Sequence, residues 1–165
     1  MGSLVALNFA ARYSQKARSL ALLGTSTPMQ VADQLLDASR NNHHDAIDMA
    51  NTWSHSNFSH IGGNESPGLV MTLGGQRLLE RAKNNVLFTD LNACNKFLNG
   101  AELAANISCE SLILVGTKDR MTTPIKALKL AELIPGSRTT VLEQCGHSMI
   151  SEQPNAVLDA LITIV

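Results

Sequence analysis

The chain has 165 residues, 44% of them apolar, with 13 basic and 14 acidic side chains and a formal net charge of −1. That length suits one compact domain with its own core, and the near-neutral balance offers no electrostatic footprint for nucleic acid or an anionic membrane. No apolar run approaches the length of a bilayer span, and three cysteines without C-x-x-C spacing (Cys94, Cys109, Cys145) argue against a disulfide framework and for a reduced, cytoplasmic setting.

In chain order, residues 3–13 form a strongly apolar segment with helical spacing. Gly2, Ala6 and Ala10 recur every four residues and predict a smooth face for packing on a sheet. Arg12, Lys16 and Arg18 precede the first acid, Asp33, as in a mitochondrial presequence, but residues 18–25 read instead as a buried parallel strand. Asn8 interrupts the apolar run with no basic segment before it, against a secretory signal. Ala6 stands where a myristoylation motif needs Ser or Thr. Helical spacing returns at 29–38, 45–53 and 76–86, joined by polar loops, of which 60–68 is dense in turn formers and expected to be exposed. Residues 111–116 read as a second strand and 124–134 as a helix, with Thr123 before the first-turn Pro124 as its cap. A third strand begins at Thr139, and residues 153–162 make a last helix. Strands this short and this uniformly apolar, interleaved with helices, predict an α/β fold: three parallel strands with flanking helices.

The strand–helix–strand unit over 111–145 is a crossover that sets its strands parallel and side by side, with both C-terminal ends on one edge. Ligands bind at that edge in open α/β sheets. One strand ends in a turn that delivers Asp119, and the other in a turn that delivers His147. An acid and a histidine in that order are two members of a hydrolytic triad: Asp119 to orient the imidazole, His147 to act as general base. Because Thr123 fills the capping role, Asp119 is expected to be spare for chemistry, while Lys118 and Arg120 read as solvated charges. Trp53 is expected to line the pocket or to pack between helices, and Met149 is a weaker pocket candidate. Cys145 reads as a small buried filler and not as a nucleophile. Among His43, His44, Asp45, Asp48, His55 and His60 only His44 and Asp48 have paired helical spacing, which is too few ligands to predict a metal site.

The motifs carry a resemblance. Gly116, Asp119 and Pro124 follow a G-x-x-D-x-x-x-P pattern with the proline one residue late, Gly146-His147 closes the last strand, and Met1-Gly2 looks like the second half of a G-x-S-M-G nucleophile elbow. Over all 165 residues the chain resembles the C-terminal portion of the α/β-hydrolase fold family, beginning just after the nucleophile serine. Residues 1–27 and 99–165 resemble part of the core, with its sixth, seventh and eighth strands, and 28–98 resemble the helical cap. The resemblance implies a serine hydrolase acting on an ester or similar acyl bond of a small molecule, without a cofactor. It also implies that Met1 holds the oxyanion-hole backbone position of a full-length parent, a role that a terminal ammonium cannot fill. The family's first five strands and its oxyanion loop are absent, so the chain as given is expected to be inactive. An inactive remnant serving as a binding module, or a non-hydrolytic member such as a lyase or a cofactor-free peroxidase, is the alternative. Residues 18–25 are expected to offer an open sheet edge for self-association, since Leu20, Ala21, Leu22 and Leu23 carry nothing that blocks pairing. Leu4, Leu7 and Phe9 are expected to add exposed apolar surface.

Overall fold

A computed structural model describes residues 1–66 and 68–165; the turn-rich segment predicted at 60–68 includes Pro67, which lies outside the described residues. Helix α1 (Gly2–Arg12) leads into strand β1 (Ser19–Leu23). A helical insertion follows: α2 (Asp33–Arg40), α3 (Asp45–Ser54), the short α4 (Asn57–His60), α5 (Met71–Glu80) and α6 (Val86–Lys96); after it, α7 (Gly100–Ala105) packs back against α1. The chain then returns through β2 (Glu110–Gly116), α8 (Pro124–Leu133), β3 (Arg138–Leu142), the short α9 (Met149–Glu152) and α10 (Pro154–Leu161). The strands form one parallel sheet in the order β1-β2-β3.

Strand β2 is central and buried from Ser111 to Gly116, which accounts for its unbroken apolar sequence. Its side chains alternate between two cores. Ile113 and Val115 join Leu7, Leu22, Ala104 and Leu130 beneath α1, α7 and α8, while Leu112 and Leu114 join Leu142, Val157 and Ala160 beneath α10. Burying each such aliphatic side chain contributes roughly 1.5–3 kcal/mol. The insertion has its own small core of Leu35, Ala46 and Ala50. A further cluster, Leu4, Met29 and Cys94, fastens the insertion to α1. No helix among the described residues is long and apolar enough to cross a membrane.

Several expectations are corrected. The face that α1 buries is Leu4, Leu7 and Ala10, spaced by three; of the Gly2–Ala6–Ala10 stripe, Ala10 is buried and Ala6 packs partly against the same core, but Gly2 is exposed. Leu4 and Leu7 are therefore not available as exposed apolar surface, whereas Phe9 is 46% exposed. The helix predicted from residue 29 begins only at Asp33. Met29 is buried against Leu4 and Cys94, and the Val31 N–H donates to Asn95 Oδ1 at 3.1 Å, so tertiary partners hold this segment out of the helix. The helix predicted at 76–86 is two helices. Asn85 adopts a left-handed φ of 67°, which asparagine tolerates, and exchanges hydrogen bonds with the Asn42 side chain at 2.7 and 3.1 Å. Helix α5 accordingly stops at Glu80 and α6 starts at Val86.

His44 ties α3 to α5: its Nδ1 lies 3.1 Å from Asp48 Oδ2 and its Nε2 lies 3.1 Å from Glu80 Oε1. The Glu80 bond first, and then Asp48, raise the imidazole above its ordinary 6.5. The His44 bond first, and then Arg77, hold Glu80 below its ordinary 4.5. A raised histidine stabilises the fold fully below its unfolded value and loses that contribution as pH rises through its elevated folded value. A depressed carboxyl contributes above its unfolded value and loses it as pH falls through the folded one. The tie is therefore strongest between pH 4.5 and 6.5. Both groups are solvated, so the effect is small and weakened by salt. In calorimetry, the thermal midpoint of the wild type should exceed that of His44→Gln most within this window, and the gap should close as pH rises through the elevated value of the histidine.

Candidate active site

Strands β2 and β3 are in register at their ends, with Gly116 opposite Leu142, so the turns that follow them emerge on the same edge. These turns touch. A Cβ on Gly116 would come within 2.5 Å of the Cys145 carbonyl oxygen and 2.6 Å of that of Gly146, so only glycine fits. The Thr117 N–H donates to Leu142 O at 3.0 Å, Lys118 N–H to Cys145 O at 2.8 Å, and Gln144 N–H to Thr117 Oγ1 at 2.9 Å. Backbone hydrogen bonds thus fix the relative positions of the residues that follow, Asp119 and His147.

Asp119 is 3% exposed. Its Oδ1 accepts the N–H groups of Met121 and Thr122, each at 2.8 Å, and its Oδ2 accepts the Thr122 hydroxyl at 2.7 Å. The same Oδ2 lies 2.8 Å from His147 Nδ1. Asp119 is therefore not spare, as the sequence reading expected: one oxygen shapes the turn and the other meets the imidazole. The reason is reach, since a short carboxyl arm can accept backbone N–H groups two and three residues on. Thr123 does sit at the N-cap of α8, but its side chain makes no capping hydrogen bond. A carboxylate only accepts, so Nδ1 carries the proton toward Asp119 and the neutral ring keeps its lone pair on Nε2.

Strand β1 closes the third side of this pair. Gly24, at φ 56°, lies so near that a Cβ would sit 2.7 Å from His147 Nδ1 and 3.2 Å from Asp119 Oδ2. The His147 side chain is 30% exposed and opens on a cavity of about 220 Å³. Met29, Val31, Leu35, Trp53 and Leu91 give that cavity an apolar wall, and Met1 lines it too. Trp53 lines this cavity and also packs against the Leu35–Ala46–Ala50 core. Met1 also starts α1, its carbonyl accepting from Leu4 and Val5 at 2.9 and 3.2 Å. A larger cleft of about 520 Å³, lined by Phe58, Asn64 and Gln153 among others, touches neither Asp119 nor His147.

Met149 is corrected. It is 2% exposed and belongs to the core with Leu112, Leu114 and Val157, because the first turn of α9 points it down against the sheet and away from the cavity. Cys145 lies in the same core. Burial first, and then the charges of Glu152, Asp119 and Glu65, push its thiol up to about 12, so it carries negligible thiolate at neutral pH. The sequence reading passed over three residues that shape the site: Gly24, Thr122 and the buried Glu152. None of the three stood out in the sequence, and Glu152 sits among the polar neighbours Ser151, Gln153 and Asn155.

No protein-family model matches this chain, and no curated protein matches it. Solved structures do. The chain is similar to a thermophilic esterase, with a TM-score of 0.79 and 22% identity over 98% of this chain and 61% of the esterase. Est816, described as an N-acyl homoserine lactone degrading enzyme, gives 0.83 and 19% over 99% of this chain and 64% of its own. The enol-lactonase from Burkholderia xenovorans LB400 gives 0.84 and 19% over 99% and 62%. The chain therefore carries the α/β-hydrolase fold, and it spans less than two thirds of the length of these structures.

Replacing Gly24 by alanine tests how tightly the pair is enclosed. The left-handed backbone should cost about 1–2 kcal/mol in urea denaturation. The new methyl should also displace the imidazole, shifting the His147 ring signals in NMR.

Proposed function

We propose that this chain is the histidine- and aspartate-bearing part of a serine hydrolase acting on an ester or similar acyl bond of a small molecule. The observation that carries the reading is the pairing of buried Asp119 with half-buried His147, 2.8 Å apart, facing an apolar cavity at the C-terminal edge of a parallel sheet. The similar structures, named as an esterase and as lactone-cleaving enzymes, support the same class. In this reading 1–27 and 99–165 are core, and 28–98 form a cap that supplies the apolar wall of the cavity.

The nucleophile is a serine outside residues 1–165, on the portion of the fold that the similar structures have beyond the matched region. His147 Nε2 removes the hydroxyl proton as the serine oxygen attacks the acyl carbonyl. Asp119 holds the ring by Nδ1 and stabilises the imidazolium. The proton then passes to the leaving oxygen, and water repeats the sequence to release the acid. A peptide N–H at the Met1 position supplies an oxyanion-hole donor. No step requires a cofactor.

A fluorophosphonate probe reports the nucleophile directly. The 165-residue protein should take up no label and show no ester turnover, because losing a triad nucleophile costs about a millionfold. The coding DNA upstream should encode, in frame, a strand ending in G-x-S. Labelling within the chain that is abolished by His147→Ala would place the nucleophile among these residues and overturn the assignment.

We also propose that the chain self-associates. The outer edge of β1 has no partner strand among the described residues. Beside it, Met1, Val5, Phe9 and Tyr13 recur every four residues on and beside α1, and all are exposed. Such a stripe next to an open edge favours pairing with another copy. Sedimentation velocity should therefore find oligomers, and Phe9→Glu should shift them toward monomer. A wild-type monomer across the micromolar range would sink the proposal.

A further inference from the structure

Glu152 stands outside the catalytic scheme, yet it is among the most buried charged residues of the chain, at 5% exposure. Its carboxyl oxygens accept from three separate places. The Ser56 N–H reaches Oε1 and Oε2 at 3.3 and 3.2 Å, the Ser59 hydroxyl reaches Oε2 at 2.9 Å, and the Gly146 N–H reaches Oε1 at 3.2 Å. Ser56 and Ser59 belong to the α3–α4 junction of the insertion, whereas Gly146 immediately precedes His147. On the other side of the histidine, the Ser148 N–H donates to Ser54 O at 2.8 Å, again at the end of α3. Both peptide neighbours of His147 are thus held to the same short segment of the insertion, one directly and one through Glu152. The fit is close: a Cβ on Gly146 would fall 2.6 Å from Glu152 Oε1 and 2.7 Å from the Ser56 nitrogen. Glycine before the histidine is therefore required by this contact and not by its backbone angle.

We propose that Glu152 is a positioning residue that locks the seating of the cap to the placement of His147, so that the cap cannot lift at the α3–α4 junction without moving the imidazole. The reacting group gains rigidity from elements on two sides, and a ligand that seats the cap against the Trp53 wall also sets the base. Such coupling is reciprocal. Its catalytic meaning rests on the hydrolase reading, but the mechanical link does not.

Amide hydrogen exchange by NMR on the 165-residue protein tests the link, together with the His147 Nδ1 proton. In Glu152→Gln an amide NH2 replaces one acceptor oxygen and opposes the donors gathered there. The amides of Gly146 and Ser56 must then share the one remaining acceptor oxygen and should exchange about tenfold faster. The decisive readouts are groups that Glu152 does not touch. The Ser148 amide and the His147 Nδ1 proton should accelerate by a similar factor, while the β2 amides keep wild-type rates. If Glu152→Gln fails to fold, Ser59→Ala removes a single donor and should produce the same pattern, only smaller. Acceleration confined to Gly146 and Ser56, with Ser148 and His147 unchanged, would show Glu152 to be a local brace and overturn the coupling. Asp119→Asn separates the two ideas. It should disturb the His147 ring and leave Ser56 and Ser148 protected, and an undisturbed ring would count against the hydrolase pair without bearing on the clasp.

Discussion

Everything at the candidate site depends on the contact between the turn after β2 and the turn after β3. Gly116 lies against the carbonyls of Cys145 and Gly146 with no room for a side chain, and Lys118 donates into the same gap at 2.8 Å. Backbone groups, which cannot change rotamer, therefore fix where the two chemical side chains emerge. The pair itself adds little freedom: Asp119 is already held by Met121 and Thr122, so His147 meets a carboxyl whose orientation is set in advance. In the proposed hydrolase, such a preorganised acceptor would leave no reorganisation to the moment of proton transfer.

That contact is stable because β2 is covered on both faces. Ile113 and Val115 face one core, Leu112 and Leu114 the other, and all four are essentially inaccessible to water. Met149 and Cys145 complete the second core directly beneath the histidine turn, so the turn rests on packed side chains. A smaller residue at 149 would leave a void under the site and not inside the cavity in front of His147, a different kind of defect from the one its sequence position suggests.

The helical insertion contributes in two ways. Through Trp53, Leu35 and Leu91 it walls the cavity in front of His147, and through Ser54, Ser56 and Ser59 it grips the residues beside that histidine. The segment that walls the cavity is thus also the one that holds the residues beside His147. Its internal structure is looser in sequence terms. Asn–Asn side-chain bonds, an exposed His44 tie and a close α3–α5 contact at Gly75 define it, not a strong apolar period.

The sequence alone determined the parallel α/β core, the crossover that brings Asp119 and His147 to one edge, and the buried character of Cys145, because uniformly apolar strands and strand-end turns are local signals. It also carried enough of the G-x-x-D and Gly-His patterns to point to the α/β-hydrolase fold. Tertiary structure alone decided the rest. Met29 through Ala32 stay out of the helix because Leu4, Cys94 and Asn95 hold them, and residues 76–86 break in two because Asn85 meets Asn42 from the turn after α2. Met149 turns into the core although it stands two residues from the histidine. Gly24, Glu152 and the second role of Asp119 became visible only in three dimensions, since each is defined by atoms that approach from remote parts of the chain. Periodicity records which face of an element is apolar. It cannot record which partner will arrive there, and that partner decides the geometry of the site.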